Sequence, residues 1–361
     1  MKHYKLNELG TVNRGKSKHR PRNDPELYGG KYPFIQTGDV KHSSFYVTSH
    51  TQTYNEKGLA QSKLWEKGTL CITIAANIAD TAILSYPACF PDSIIGFLPN
   101  KKKADVKYVK YCLDTFRLQM QSISQGTTQD NMSLEKLLSI GFPAPDLESQ
   151  RKIAGILSAY DDLIENNKRR IALLENMAEE LYREWFVRFR FPGWRDAEFE
   201  KGIPKGWELQ RVDSLGKIIT GKTPLTSNEK YYLGNIHFIK TPDMHGNMFI
   251  YETEENLTED GLNSQPSQML PKNAISVSCI GTGGITSITT QRCCTNQQIN
   301  SIVLKNENDL EWAFYTVKGL KETIYAFGST GTTMTNLSKG KFSGLKFICA
   351  PKYLREPLKT H

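Results

Sequence analysis

Two stretches of the chain have the residue types and spacing of a phosphate-binding loop. Gly10 to Ser17 and Gly216 to Thr223 both match G-x-x-x-x-G-K-[ST]. In such a loop the glycines let backbone N–H groups cradle phosphates, and the lysine reaches the terminal ones. That chemistry needs an apolar strand before the loop and a helix after it. Here polar segments precede both copies, Tyr4 to Glu8 and Trp207 to Asp213. Pro21 and Pro25 disturb the segment after the first copy, and Pro224 comes directly after the second. No apolar strand ending in Asp-Glu lies downstream to hold magnesium. The alternative is a repeated turn whose Lys16 and Lys222 face solvent or phosphate.

Other chemistry is thin. There is no H-E-x-x-H, no G-x-S-x-G and no N/D-P-P-Y/F of an amino-methyltransferase. His3, His19, His42, His50, His237, His245 and His361 are scattered, as surface or loop histidines are. Gly281-Thr282-Gly283-Gly284 has the make-up of an anion nest, or of a plain hairpin. The 7 cysteines, Cys71, Cys89, Cys112, Cys279, Cys293, Cys294 and Cys349, include no C-x-x-C pair. Neither a disulfide framework nor a zinc ribbon is indicated, and the thiols read as core filler in a reduced cytoplasm. The site reading is therefore no catalytic residue, no metal and no cofactor held by this chain.

The two glycine-lysine turns belong to a longer repeat. An offset of about 205 residues aligns Leu9 to Ser17 with Leu215 to Thr223. It also aligns Phe34-Ile35-Gln36-Thr37-Gly38-Asp39 with Phe238-Ile239-Lys240-Thr241-Pro242-Asp243. Lys67 to Ile72 lies near Lys272 to Val277, and Gly126-Thr127-Thr128 matches Gly331-Thr332-Thr333. Ala144-Pro145 closes the first copy and Ala350-Pro351 the second. Match points that keep their order while loops differ describe one scaffold carrying two reading surfaces. Short β-rich runs broken by Gly, Pro, Asn and Ser make each copy α+β.

Between the copies, Arg151 to Arg188 has no proline and only Gly155. Ile153, Leu157, Tyr160, Ile164, Asn167, Ile171, Leu174, Ala178, Leu181 and Trp185 alternate spacings of four and three. That period of 3.5 predicts a coiled-coil seam on a helix on the order of 55 Å long. Asn167 is its one polar position, a register-setting choice at some cost in stability. Pro145 and Asp146 give a stop and a cap before the helix, and Phe191-Pro192-Gly193 ends it. The expected layout is a first domain at 1–145, a long central helix at 146–189 and a linker at 190–206. A second domain occupies 207–351, and a short tail 352–361. The fold class is α+β: two similar mixed α/β domains joined by a long coiled-coil helix.

The net charge of +8 sits at the ends, with +7 over 1–145, −2 over 146–189 and +3 over 190–361. Basic flanks around an acidic connector suit phosphate contact at both ends. No run approaches the roughly 18 apolar residues of a membrane helix, and the N-terminus has no signal-like stretch.

The order of domain, heptad helix and second domain resembles the specificity subunit of Type I restriction-modification enzymes. The repeated Gly-Lys-Ser/Thr turns carry the resemblance, with Gly126 to Met132 and Pro143-Ala144-Pro145 leading through Glu148-Ser149-Gln150 into Ile153-Ala154. The Gly202-Ile203-Pro204-Lys205-Gly206-Trp207-Glu208 entry belongs with them. The resemblance implies a cytoplasmic, non-catalytic subunit whose two domains each read half of a split double-stranded DNA site. It implies docking to methylation and restriction subunits, with S-adenosylmethionine, ATP and magnesium held by those partners. Phosphate contacts are then expected from Lys5, Arg14, Lys16, Lys18, Arg20 and Arg22, and from Lys217 and Lys222 in the second copy. Base contacts are expected from Gln129, Asn131, Thr333 and Asn336, unless these brace turns. The family carries a second spacer helix after its second domain. Here only ten residues come after Pro351, with Pro357 among them. That leaves the seam of 151–188 for a homodimer or for a partner subunit. Two other readings stay open: a coiled-coil scaffold that binds proteins only, and a phosphate-loop nucleotide enzyme.

Overall fold

The structure is a computed structural model that describes residues 2–75, 78–118, 120, 132–328 and 335–355. The chain divides into two compact units, Met1–Ala172 and Leu173–His361. The long helix supplies residues to both.

The first unit holds strands β1 Lys2–Tyr4, β2 Gly10–Arg14, β3 Tyr28–Phe34, β4 Tyr46–Val47, β5 Gln52–Tyr54 and β6 Leu64–Trp65. They continue as β7 Leu70–Thr73, β8 Thr81–Leu84, β9 Ala88–Cys89, β10 Ile94–Pro99 and β11 Phe142–Ala144. One sheet runs β2-β10-β7-β8-β4, a second runs β5-β3-β9-β6, and β1 pairs with β11. The central strands are apolar runs buried on both faces: every residue of Leu70–Thr73 and Thr81–Leu84 is buried. Helix Val106–Thr115 closes the core, and the Asp105 carboxylate caps it by accepting the Lys107 and Tyr108 N–H groups.

The second unit repeats this order. Its strands are β12 Phe199–Glu200, β13 Ile203–Pro204, β14 Glu208–Arg211, β15 Gly216–Thr220, β16 Tyr232–Ile239, β17 Phe249–Ile250 and β18 Asn256–Leu257. They continue as β19 Ile275–Ser278, β20 Ile280–Gly281, β21 Thr286–Thr289, β22 Cys293–Thr295, β23 Ile299–Leu304, β24 Thr335–Asn336 and β25 Lys346–Cys349. The large sheet runs β15-β23-β19-β21-β17, strand for strand the order of the first copy. The second sheet runs β18-β16-β22, and a bridge from Leu270 to Cys293 stands where β6 meets β9. β14 pairs with β25 as β1 does with β11. The fold class read from sequence, two similar mixed domains and a long helix, is what the structure has.

The helix runs Leu147–Tyr182. Asp146 starts it, accepting the Ser149 N–H at 2.9 Å. Near its end the winding loosens into one π-turn, Arg183–Val187, closed by the Arg188 N–H on the Arg183 carbonyl. Its polarity is inverted with respect to the domains. In the first unit Gln150, Ala154 and Ser158 are buried, Lys107 Nζ donates to Ser158 Oγ at 2.9 Å, and Tyr111 donates to Asp161. Ser44 donates to Glu165 at 2.6 Å. In the second unit Lys318 Nζ meets Glu179 at 2.6 Å, and the Tyr182 hydroxyl donates to Thr316 at 3.1 Å. Polar residues thus dock in the first unit, and Tyr182 and Phe186 join the core of the second, while Ile153, Leu157, Tyr160, Ile164, Asn167, Ile171, Leu174, Ala178 and Leu181 are exposed. Ile156, Leu163, Leu173 and Met177, outside the predicted seam, are exposed too.

Two expectations need correction. Trp185 is not an open seam position: it packs against the cluster of Phe191, Trp207, Ala350 and Leu354. The π-turn adds a residue and rotates it off the heptad stripe. The segment 190–206, expected as a linker, is itself structured. It carries the β12–β13 hairpin, and Phe191 packs on Trp207 with ring centres 5.4 Å apart.

Candidate nucleic-acid interface

The first copy of the glycine-lysine turn continues β2 along the sheet edge. Backbone alternation puts Arg14, Lys16 and Lys18 outward while Gly15 and Ser17 are buried. The backbone donors of the turn are already engaged. Gly15 N–H donates to Ile94 O at 2.8 Å and Lys16 N–H to Phe90 O at 3.0 Å. Lys18 and His19 N–H donate to the Gln61 side-chain oxygen at 2.6 and 3.1 Å. The second copy repeats this with Gly221 N–H on Ile299 O at 3.0 Å and Lys222 N–H on Thr295 O at 2.9 Å. A phosphate cradle needs those same N–H groups free, so the pattern here encodes a sheet edge.

The glycines answer to packing. A Cβ on Gly15 would lie 2.2 Å from Pro91 O, and one on Gly221 would lie 2.1 Å from Asn296 O. The Ser17 side chain is buried, and Thr223 donates to Gln297 at 2.7 Å. Lys16 and Lys222 stay exposed.

The predicted phosphate contacts fall into two groups. Lys5, Arg14, Lys16 and Lys18 are exposed, and so are Lys217 and Lys222. Arg20 and Arg22 are spoken for. Arg20 Nη1 donates to the Ser17 and His19 carbonyls at 2.7 and 2.8 Å, and Arg22 grips both oxygens of Asp92 at 2.7 and 2.8 Å. His19 lies 2.7 Å from Asp24, and the Glu26 N–H together with His19 holds that carboxylate below its ordinary range. Arg20, Arg22, His19 and Asp24 therefore shape the loop in which Lys16 and Lys18 stand. Asp92 and Gln61 were not singled out from sequence. Gln61 lies at the repeat offset from Gln265, the one signal that marks it.

Gln129, Asn131 and Thr333 lie outside the described residues. Asn336 is exposed on β24, which pairs with β20 beside the Gly281–Gly284 turn. Equivalent backbone bonds fasten the neighbouring residue in each copy: Met132 N–H on Ile74 O and Leu337 N–H on Cys279 O, both at 2.9 Å. Burial pushes the thiols up, those of Cys112 and Cys279 to about 11, so they are poor nucleophiles. No group of His, Cys, Asp and Glu among the described residues is placed to hold a metal ion.

The model of the Type I restriction modification DNA specificity domain matches residues 1–176 and again 204–353. The chain belongs to that family. Its two matches coincide with the two copies of the strand order. The specificity family accounts for a subunit that recognises DNA sequence and leaves catalysis to other subunits. Among relatives, the Type I restriction enzyme HindI specificity subunit of Haemophilus influenzae is 28% identical, over 98% of this chain and 91% of its own length. The MjaIX specificity subunit of Methanocaldococcus jannaschii is 31% identical, over 54% of this chain and 47% of its own. The crystal structure of a Type-I restriction-modification S subunit from M. genitalium superposes with a TM-score of 0.58 at 15% identity. It covers 98% of this chain and 84% of that one, a likeness of fold.

Proposed function

We propose that this specificity subunit reads a split double-stranded DNA target, one half-site per domain, with the long helix setting the gap. The duplicated sheet order with exposed lysines on the same turn supports this most directly. Lys5, Arg14, Lys16, Lys18, Lys217 and Lys222 contact phosphates, and Arg20 and Arg22 join them once DNA competes with Asp92 and the loop carbonyls. Asn336, with Gln129, Asn131 and Thr333, faces bases. S-adenosylmethionine, ATP and magnesium are the business of methylation and restriction subunits that dock on this chain in the cytoplasm. No helix among the described residues is long and apolar enough to cross a membrane.

The outward apolar face supports helix pairing. Ile164 and Ile171 are 49% and 55% exposed, and each buried aliphatic side chain contributes about 1.5–3 kcal/mol. The occupant is a second copy's helix, or a helix of a docked subunit. Light scattering of the purified chain decides: a clean monomer at micromolar concentration ends the dimer. If a dimer forms, Ile164→Glu splits it. For the DNA reading, selection from a random duplex pool should enrich a two-part motif with an unspecified gap. No enrichment, alone or with the methylation subunits, would defeat it.

A further inference from the structure

In one matched segment the two copies agree at the buried positions and differ at a position between them and the next helix. In Phe34 to Asp39 and Phe238 to Asp243 the Phe and Ile are buried in both. The Asp is kept for the backbone: Asp39 accepts the Gln36 N–H at 2.7 Å and Asp243 the Lys240 N–H at 2.8 Å. Gln36 and Lys240 accordingly share an extended conformation, with φ of −103° and −116° and ψ of 170° and 165°. Their side chains differ in chemistry, and so do the residues they meet. β5 sets Gln52 opposite Phe34, and Phe238 N–H bonds the Glu255 carbonyl, so Gln52 and Glu255 are equivalent. Gln36 Nε2 donates to Gln52 Oε1 at 2.5 Å, whereas Lys240 forms an ion pair with Glu255.

We propose that Gln36 with Gln52, and Lys240 with Glu255, are the side chains through which each domain discriminates a base pair. This rests on the DNA-reading function above. Gln36 and Gln52 are exposed and line a cleft of about 230 Å³ together with Ser17 and Arg22, so they border the basic turn. Glu255 lines a larger cleft of about 680 Å³ in its own domain. A carboxamide offers a donor and an acceptor, the complement of adenine N6 and N7. Lysine donates to guanine O6 and N7, and glutamate accepts from cytosine N4. The first domain therefore reads an A·T pair at this point and the second a G·C pair. The mutual bonds keep both pairs satisfied until DNA replaces them.

The test exchanges the pairs in the full chain and repeats the duplex selection. Wild type must first enrich a split motif; if it does not, the DNA-reading function fails and not this assignment alone. Gln36→Lys with Gln52→Glu should turn one A·T position in one half-site towards G·C, by about tenfold to a hundredfold in preference. Lys240→Gln with Glu255→Gln should do the converse in the other half-site. Wild-type motifs from both exchanges overturn the assignment. Should an exchanged chain fail to melt cooperatively, Gln36→Ala and Lys240→Ala take its place. Each should relax one position in one half-site, and unaltered preference overturns the proposal equally.

Discussion

The first and second domains share a strand order but not the way their basic turn is fastened. In the first, Gln61 reaches up and accepts the Lys18 and His19 N–H groups. In the second, Gln265 occupies the equivalent place, 3% exposed, and neither its side-chain oxygen nor its nitrogen has a hydrogen-bond partner. One of the two donors that Gln61 uses is missing: Pro224 stands where Lys18 does, and proline has no N–H to give. Its neighbour Cys294 offers only a thiol, a weak partner. A duplicated scaffold thus keeps the anchor after the loop it anchored has changed.

The largest effect should come from what the domains share. Gly15→Ala and Gly221→Ala each push a Cβ within 2.2 Å of a backbone carbonyl, that of Pro91 or of Asn296. Overpacking of this kind costs about 3 kcal/mol. Each substitution should melt its own domain early in calorimetry while the other keeps its transition. Added ATP should raise neither transition. Equal loss in both domains from a single substitution would show that they do not melt separately.

Next comes DNA affinity, where the domains should differ. Arg14, Lys16 and Lys18 stand together on one outward face, but their counterparts are Thr220, Lys222 and Pro224, which leaves one cation. Replacing all three by alanine should flatten the slope of log affinity against log salt by about 2.7, and Lys222→Ala by about 0.9. Binding titrations between low and moderate salt would measure both. Equal slopes would mean the second domain draws its phosphate contacts from elsewhere.

Much of this was legible from the residues. The 205-residue offset found the turns, Phe34 to Asp39 and the closing Ala-Pro, because buried strands and caps tolerate few substitutes. The heptad stripe was legible because it stays outward and regular. Less visible were contacts that depend on register across the sheet. Arg22 reads as a free cation until Asp92, seventy residues on, is seen to hold it. Trp185 fits the heptad by count, but one added residue in the π-turn moves it. The polar docking face of the helix, Ser158, Asp161 and Glu165, carries no periodic apolar signal at all. Sequence pattern therefore showed which helix face was unusual, not which face was docked.

The anchors themselves give a comparison with opposite signs. Gln61→Leu strands two N–H groups and should destabilise the first domain by about 1–3 kcal/mol. Gln265→Leu removes an unsatisfied buried amide of similar size and should stabilise the second by about 1 kcal/mol. Chemical denaturation of each variant reads both. Destabilisation by Gln265→Leu would mean that a bound water serves the role Lys18 and His19 play in the first copy.

The smallest effect concerns how the helix is held in each unit. In the first, its carboxylates Asp161 and Glu165 meet neutral donors, the Tyr111 and Ser44 hydroxyls, while the Lys107 ammonium donates to Ser158. In the second, Lys318 and then Arg183 hold the Glu179 carboxyl below its ordinary value of 4.5. A carboxyl depressed in the folded state contributes stability that is complete above its unfolded value. That contribution fades as pH falls through the folded value. Both side chains are partly exposed, at 45% for Lys318 and 25% for Glu179, so screening trims the effect to a fraction of a kcal/mol. Lys318→Met should lower the second domain's stability slightly at neutral pH and flatten its loss in acid. The first domain's acid profile should not move. A shift in both profiles would show that Glu179 matters to more than the docking of its own unit.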